Sequence, residues 1–143
     1  AAVDAQIQDV RRQIADLAPK PNALLDLENW MRSHAIFFSD GTAFHDDAET
    51  NRALDSLVAL LRRSGATIRV VGYTDERGTN ERNLTLAYAR AERAVSSLVQ
   101  RGIDQSRVRP VGRAAVLDIS ARSGLSSANR RVTFEPIYVG EEP

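Results

Sequence analysis

The apolar residues of the first 34 positions recur at helical spacing and are interrupted once by prolines. In residues 1–18 an apolar side chain returns every three or four positions, at Val3, Ile7, Val10, Ile14 and Leu17. This stripe predicts an amphipathic helix, either packed on the domain or forming the end of a longer coiled coil. Pro19 and Pro21 end it, and Asn22 is positioned to cap a second, shorter helix through Arg32.

Two longer helices are predicted further along the chain. The first is expected to begin at Asp46 or Asp47, because Glu49 completes a capping-box-like arrangement, and to end at Gly65. Its buried stripe is formed by Leu54, Leu57, Val58 and Leu61. The second covers residues 80–101 and ends at Gly102. Its apolar residues are Leu84, Leu86, Val95, Leu98 and Val99.

Four short runs predict strands, at residues 35–38, 67–72, 107–111 and 131–139. TIRVVG, from Thr67, is β-branched and apolar and predicts a central strand, whereas Pro110 places the third strand near an edge. Strands that alternate with helices favour crossover connections, so we expect a mixed α/β two-layer sandwich. No helix separates the last two strands, so their pairing stays open in either direction. The domain is expected over residues 35–143, after a helical extension or linker over residues 1–34.

Composition and charge narrow the class of function. The formal net charge of the 143 residues is +0, which argues against nucleic-acid binding and against electrostatic attachment to a membrane. Cysteine is absent, which excludes disulfides, thiol catalysis and thiolate metal sites. No apolar run is long enough to span a bilayer. The sequence begins at Ala1, so we expect a mature or excised piece whose membrane attachment, if any, lies in parts absent here.

The stretch GYTDERGTNERNLTLAYARA, from Gly72, gathers an acid, an amide and a guanidinium at a strand-to-helix turn. Asn83 and Arg90 are seven residues apart and therefore share one helix face, while Asp75 comes from the preceding loop. An acid and a guanidinium around one groove suit a zwitterion such as an α-amino-acid head group. The structural alternative is a turn-forming Asp75 with Arg90 as its ion-pair partner.

Several ordered motifs resemble the OmpA-like peptidoglycan-binding domain, the module found in OmpA, the lipoprotein Pal and the stator protein MotB. Gly72-Tyr-Thr-Asp75 matches its G-H-x-D motif, with Tyr73 where histidine is common, and Asn83-Leu-Thr-Leu86 is followed by Arg90-Ala91. Arg101-Gly-Ile103 and the closing Asn129-Arg-Arg-Val132 also match. The resemblance covers roughly residues 35–139 and implies a βαβαββ mixed sheet with helices on one face, preceded here by extra N-terminal helix.

The resemblance also implies a ligand, the meso-diaminopimelate stem peptide of peptidoglycan. Asp75 would meet its ammonium, Arg90 its carboxylate, and Asn83 would add a hydrogen bond. Backbone groups near Thr74 and in the turn around Asp40 would line the groove, with support from Arg131. The implied role is a periplasmic anchor of an outer-membrane or envelope protein to the cell wall.

Protein interaction and catalysis are the other classes of function to compare with that role. An alternative is a protein-interaction or oligomerisation module, with a periplasmic partner or a homodimer formed through the N-terminal helix. Catalysis is not expected, because His34 and His45 lack catalytic neighbours in the sequence and no nucleophile elbow, P-loop or zinc spacing is present. No metal or cofactor is expected.

Overall fold

Residues 21–74, 80–113 and 130–138 are described by the computed structural model, and they form three α-helices and one four-stranded mixed sheet. The helix predicted over residues 1–18 lies outside these ranges. The helices are α1 (Pro21–Ser33), α2 (Asp47–Ser64) and α3 (Asn80–Gln100). The strands are β1 (Ile36–Phe37), β2 (Thr67–Gly72), β3 (Val108–Gly112) and β4 (Arg131–Ile137), with a 3-10 turn at Gln105–Arg107 before β3.

The strand order in the sheet is β1-β4-β2-β3. β2 and β3 are parallel, because α3 carries the chain back across the sheet, while β4 is antiparallel to both β2 and β1. The last two strands therefore do not pair with each other, because β4 inserts between β1 and β2. The predicted central position of β2 and edge position of β3 are both confirmed.

The ends of α2 follow the predicted capping chemistry. The carboxylate of Asp46 accepts a hydrogen bond from the backbone N–H of Glu49 at 2.9 Å. Gly65 ends the helix with φ +66° and donates its N–H to the carbonyl of Leu61 at 3.1 Å. The predicted cap at Asn22 is wrong, because α1 already begins at Pro21, whose missing N–H costs nothing at that position.

The hydrophobic core lies between the helices and one face of the sheet. Side chains along β2 and along β4 alternate between the two faces of the sheet. Those that point into the core are Ile68, Val70, Val132 and Phe134. The predicted stripe of α2 is confirmed, since Leu54, Leu57, Val58 and Leu61 are all buried. The added helix α1 contributes Leu27 and Met31 to the same core.

Helix α3 packs on the sheet largely through small residues, and some of its large apolar side chains remain exposed. Its most deeply buried positions include Ala87, Ala91 and Ala94, whereas Leu84 is 44% exposed. Gly72 and Gly112 pair in register beneath it. A Cβ at Gly72 would lie 1.8 Å from the carbonyl oxygen of Ala87, so only glycine permits this approach. The close contact sets α3 directly over the end of β2.

Candidate functional site

The polar residues of the candidate site gather where β2 ends and α3 crosses it. Tyr73 and Thr74 extend the chain beyond β2 and are both buried. Asn83 and Arg90 are also buried, on the face of α3 that carries Ala87. The seven-residue spacing therefore places the amide and the guanidinium on one helix face, as the sequence predicted.

Arg90 is the most unusual of these residues, because its charged side chain is only 2% exposed. Its Nε donates to the carbonyl oxygen of Gly41 at 2.8 Å, and its Nη1 donates to that of Tyr73 at 3.0 Å. The guanidinium also lies 5.7 Å from the ring centroid of Phe38. Arg90 thus fastens the turn after β1 to the end of β2 and holds a buried positive charge between them.

The turn over residues 39–42 forms the other wall of the site. Ser39 donates its N–H to the carbonyl of Ala43 at 3.0 Å, and Ala43 donates to the carbonyl of Asp40 at 3.3 Å. Gly41 has φ +58°, a conformation that favours glycine. Asp40 is exposed on this turn.

Two further polar side chains are buried here, and the hydroxyl of one of them has no partner among the described residues. Thr74 is 1% exposed, and its Oγ1 accepts and donates no hydrogen bond there. Asn83 is 9% exposed. A buried polar group without a partner costs about 1–3 kcal/mol, and a bound polar ligand is one means of recovering that cost. Asp75 lies outside the described residues, so its predicted role remains a prediction.

The two adjacent arginines of the closing motif point in different directions. Val132 faces the core, so Arg131 lies on the outer face of the sheet, where its guanidinium is 4.2 Å from the ring centroid of Tyr73. Burial lowers the pKa of Arg131, and the neighbouring Tyr73 opposes that shift. Arg130 instead directs its Nε to the carbonyl oxygen of Phe38 at 3.4 Å, beside the turn. The sequence analysis did not include Arg130 in the site. Strand alternation was the signal that could have indicated it, because two adjacent residues of an extended chain face opposite sides.

An ion-pair network adjoins Tyr73 on the outer face. Arg113 donates through both terminal nitrogens to the carboxylate of Glu135, and Arg69 donates its Nε to the same carboxylate at 3.2 Å. Arg113 also donates to the hydroxyl of Tyr73 at 3.4 Å. The hydrogen bonds from Arg113 raise the pKa of Arg113 itself and lower that of Glu135.

The described ranges contain no group of three His, Asp or Glu side chains that could hold a metal ion. Nor does any helix within them have the length and apolarity needed to cross a membrane. His34 stacks on Trp30 at 4.3 Å between ring centroids, in a groove formed by α1, β1 and α2. The site at the end of β2 contains no histidine among its described residues.

Comparison with known proteins settles the family. The OmpA family model matches residues 36–131, which is more than half of the chain. The chain belongs to the OmpA family. The match spans β1 to the start of β4 and so includes every described part of the candidate site, confirming the resemblance seen in the sequence motifs.

Curated relatives of this OmpA-family chain include proteins that are named as lipoproteins. The probable lipoprotein YiaD of Escherichia coli is 28% identical over 120 residues, which is 81% of this chain and 52% of that protein. The peptidoglycan-associated lipoprotein of Mesorhizobium japonicum is 29% identical over 116 residues, or 80% of this chain and 68% of the relative. The chain therefore spans about half to two thirds of the length of these relatives.

Solved structures show the same fold. The peptidoglycan-associated lipoprotein of Burkholderia pseudomallei superposes with a TM-score of 0.67 at 24% identity, covering 80% of this chain and 99% of that one. The periplasmic domain of Helicobacter pylori MotB (residues 78–256) gives a TM-score of 0.59 at 18% identity, covering 73% of this chain and 71% of that one. The predicted α+β sandwich with a mixed sheet is thus confirmed.

Proposed function

We propose that this chain is a non-catalytic module that binds the stem peptide of peptidoglycan through meso-diaminopimelate. In that role it would hold an envelope protein to the cell wall from the periplasm. The names of two curated relatives, from Mesorhizobium japonicum and Legionella pneumophila, support the proposal, since both are peptidoglycan-associated lipoproteins. The geometry at the end of β2 supports it independently.

The observation that carries the proposal is the burial of Arg90 beside Thr74 and Asn83. Arg90 holds a buried positive charge at a site where the hydroxyl of Thr74 is buried without a partner among the described residues. A carboxylate is the natural ligand group for a buried guanidinium, because hydrogen bonds to charged groups contribute about 1.5–3 kcal/mol. Asp75, which follows Thr74 directly in the sequence, would supply the negative charge for the ligand's ammonium.

The remaining site residues have supporting roles in this proposal. Asn83 donates or accepts a hydrogen bond that fixes the orientation of the head group. Asp40 and the backbone of its turn form the rim, and Arg90 holds that turn in place through Gly41. Arg131 acts from the outer face of the sheet, where Tyr73 lies beneath its guanidinium.

Amide NMR of the ¹⁵N-labelled chain, titrated with a diaminopimelate-containing stem peptide, tests the proposal. We expect saturable shifts at Gly41, Thr74 and Asn83. Asp75→Asn should weaken binding by about 30-fold or more, because it removes one charge of a desolvated pair. Glu81→Gln is the matched control, since it neutralises an exposed acid in the first turn of α3. No shifts at millimolar peptide, with the chain folded, would overturn the proposal.

A second candidate function, contact with another protein, is favoured by two exposed leucines. Leu24 and Leu25 of α1 are 36% and 54% exposed, directly after the N-terminal segment with its own apolar stripe. Sedimentation velocity of the chain and of Leu25→Glu distinguishes this function. A concentration-dependent dimer that Leu25→Glu dissociates would support it, and a monomer that binds stem peptide would favour wall binding alone.

A further inference from the structure

The flank of α3 beside the edge strand β3 leaves large apolar side chains exposed. Leu84 and Tyr88 are each 44% exposed, and Val99 is 39% exposed. At about 100° per residue these three positions lie within about 60° of one another, so they share one side of the helix. β3 ends the sheet here, and no strand within the described residues continues it. Exposed apolar side chains that share one surface are typical of an interaction surface.

This exposure follows from the close approach of α3 to the sheet. A Cβ at Gly112 would lie 2.8 Å from the backbone nitrogen of Tyr88 and 2.9 Å from the carbonyl oxygen of Leu84. At that separation, the space between helix and sheet is filled mainly by small side chains such as Ala87 and Ala91. Leu84 and Tyr88 therefore remain beside the edge strand instead of entering the core.

Two grooves meet at this flank and carry opposite charges. Both grooves are lined by Tyr88, Gln105 and Pro110. The first also includes Arg109, and the second also includes Glu92. Both charged residues are exposed, and neither forms an ion pair within the described part of the chain. The apolar pair of Tyr88 and Pro110 therefore adjoins a base in one groove and an acid in the other.

The backbone of β3 does not favour a second strand that would extend the sheet. Arg113 donates its N–H to the carbonyl of Gly72 at 3.0 Å, so its backbone groups and those of Val111 point toward β2. The backbone of Pro110 points to the free edge instead, and proline has no N–H to donate there. A partner is therefore expected to bind this flank through side chains rather than through a continuous sheet.

We propose that this flank is an interface between two copies of the chain. A two-fold interface uses the same surface on both copies, so that surface must be complementary to itself. A two-fold axis at Tyr88 and Pro110 brings these side chains together and places Glu92 of each copy opposite Arg109 of the other. A partner with an excess of one charge would be attracted by one of these residues and repelled by the other. The α3–β3 surface is defined by Leu84, Tyr88, Glu92, Val99, Arg109 and Pro110.

The size of the α3–β3 surface indicates a weak dimer. Its apolar part consists of a few partly exposed side chains, whereas a standard interface buries about 800 Å² on each partner. We therefore expect a dissociation constant on the order of 10–100 μM. Neither Thr74 nor Arg90 lines these two grooves, so both copies keep their candidate site.

Sedimentation velocity of the unmodified chain, from about 10 μM to about 1 mM, should show a monomer that becomes a dimer. Glu92→Arg and Arg109→Glu each place like charges opposite one another at both pairs, and each should weaken the dimer by about tenfold or more. An equimolar mixture of these two variants should associate about as tightly as the unmodified chain, because every pair then joins opposite charges. This rescue also shows that both variants are folded.

Tyr88→Glu places a charge at the centre of the surface and should leave the chain monomeric at about 1 mM. Leu25→Glu is the matched control, since Leu25 is an exposed apolar residue of α1, and it should leave the dimer unchanged. A monomer at every concentration, a dimer lost in Leu25→Glu but kept in Tyr88→Glu, or a mixture that stays monomeric would overturn the proposal. The affinity for stem peptide should be the same in Tyr88→Glu, so wall binding and dimerisation are tested separately.

Discussion

Two regions of this domain differ in whether their polar side chains are exposed to water or buried. The groove between α1, β1 and α2 encloses about 280 Å³ and is lined by Trp30, His34, His45 and Glu49, among others. Its two histidines and its glutamate are exposed, and His34 is stacked flat on Trp30. At the end of β2, by contrast, the charge of Arg90 is buried and Thr74 has a buried oxygen without a partner among the described residues.

The difference shows that a groove lined by polar side chains is not by itself evidence of a binding site. Polar side chains that remain exposed keep their hydrogen bonds to water. The exposed polar side chains of the groove at Trp30 therefore need no ligand to satisfy their hydrogen bonds. Burial of a guanidinium and a hydroxyl carries a cost, and proteins accept such costs most often where a function requires them.

The largest effect is expected for Gly72→Ala. The added Cβ would lie 1.8 Å from the carbonyl oxygen of Ala87, a backbone atom that cannot move without shifting α3. We expect a loss of about 3 kcal/mol or more in the free energy of unfolding, measured by urea denaturation. Gly41→Ala is the comparison, because a Cβ there meets no atom within 4 Å and only the positive φ opposes it, at about 1–2 kcal/mol. Equal losses in the two variants would contradict the close approach of α3.

Arg90→Met is expected to have the next largest effect. It removes the donor from the carbonyl of Gly41, in an exposed turn, and leaves the buried carbonyl of Tyr73 without its donor, at a cost of about 1–3 kcal/mol for the buried group before relaxation. We expect a loss of about 2–4 kcal/mol in urea denaturation, within the range for removing one partner of a buried charged contact.

Arg93→Met is the matched control for Arg90→Met. Arg93 is on the same helix and also lies over a phenylalanine, with its guanidinium 4.4 Å from the ring centroid of Phe44, but it is exposed. Its loss should stay below about 1 kcal/mol. If both variants lost the same amount, the burial of Arg90 would have no energetic consequence, and the contrast between the two regions would fail.

A smaller effect is expected from the titration of Glu135. Its hydrogen bonds from Arg113 lower its pKa in the folded state below the usual 4.5. A lowered folded pKa stabilises the protein above the unfolded pKa, and this contribution disappears as the pH falls through the folded value. Stability should therefore fall between about pH 5 and pH 3, and it should fall less in Glu135→Gln. Urea midpoints measured at both pH values give this fall in stability for the unmodified chain and for Glu135→Gln. If stability fell equally with pH in both, Glu135 would not be the group responsible.

Local chemistry made much of this fold predictable from the sequence. The cap at Asp46, the left-handed Gly65 and the apolar stripe between them each depend on residues a few positions apart. The pairing of β4 between β1 and β2 was not predictable, because no helix fixes the direction of return between β3 and β4. The contacts of α3 through alanines depend on Gly72 and Gly112 meeting in register, which is a property of the assembled sheet.

The site was predictable to a similar degree. The shared face of Asn83 and Arg90 followed from helical spacing alone. The burial of Arg90 did not, because its hydrogen-bond partners Gly41 and Tyr73 come from two other segments of the chain. The same holds for Arg131, whose contact with Tyr73 depends on β2 and β4 being neighbours in the sheet.

The smallest effect is expected for His34→Ala, in the groove at Trp30. The variant removes the stacked ring and the hydrogen-bond contact of Nδ1 with the carbonyl of Trp30 at 2.8 Å. Because His34 is exposed, we expect a loss below about 1 kcal/mol in urea denaturation and no change in the affinity for stem peptide. An affinity lowered by tenfold would show that the groove takes part in binding after all. Exposed polar side chains would then take part in binding in this domain as buried ones are proposed to do.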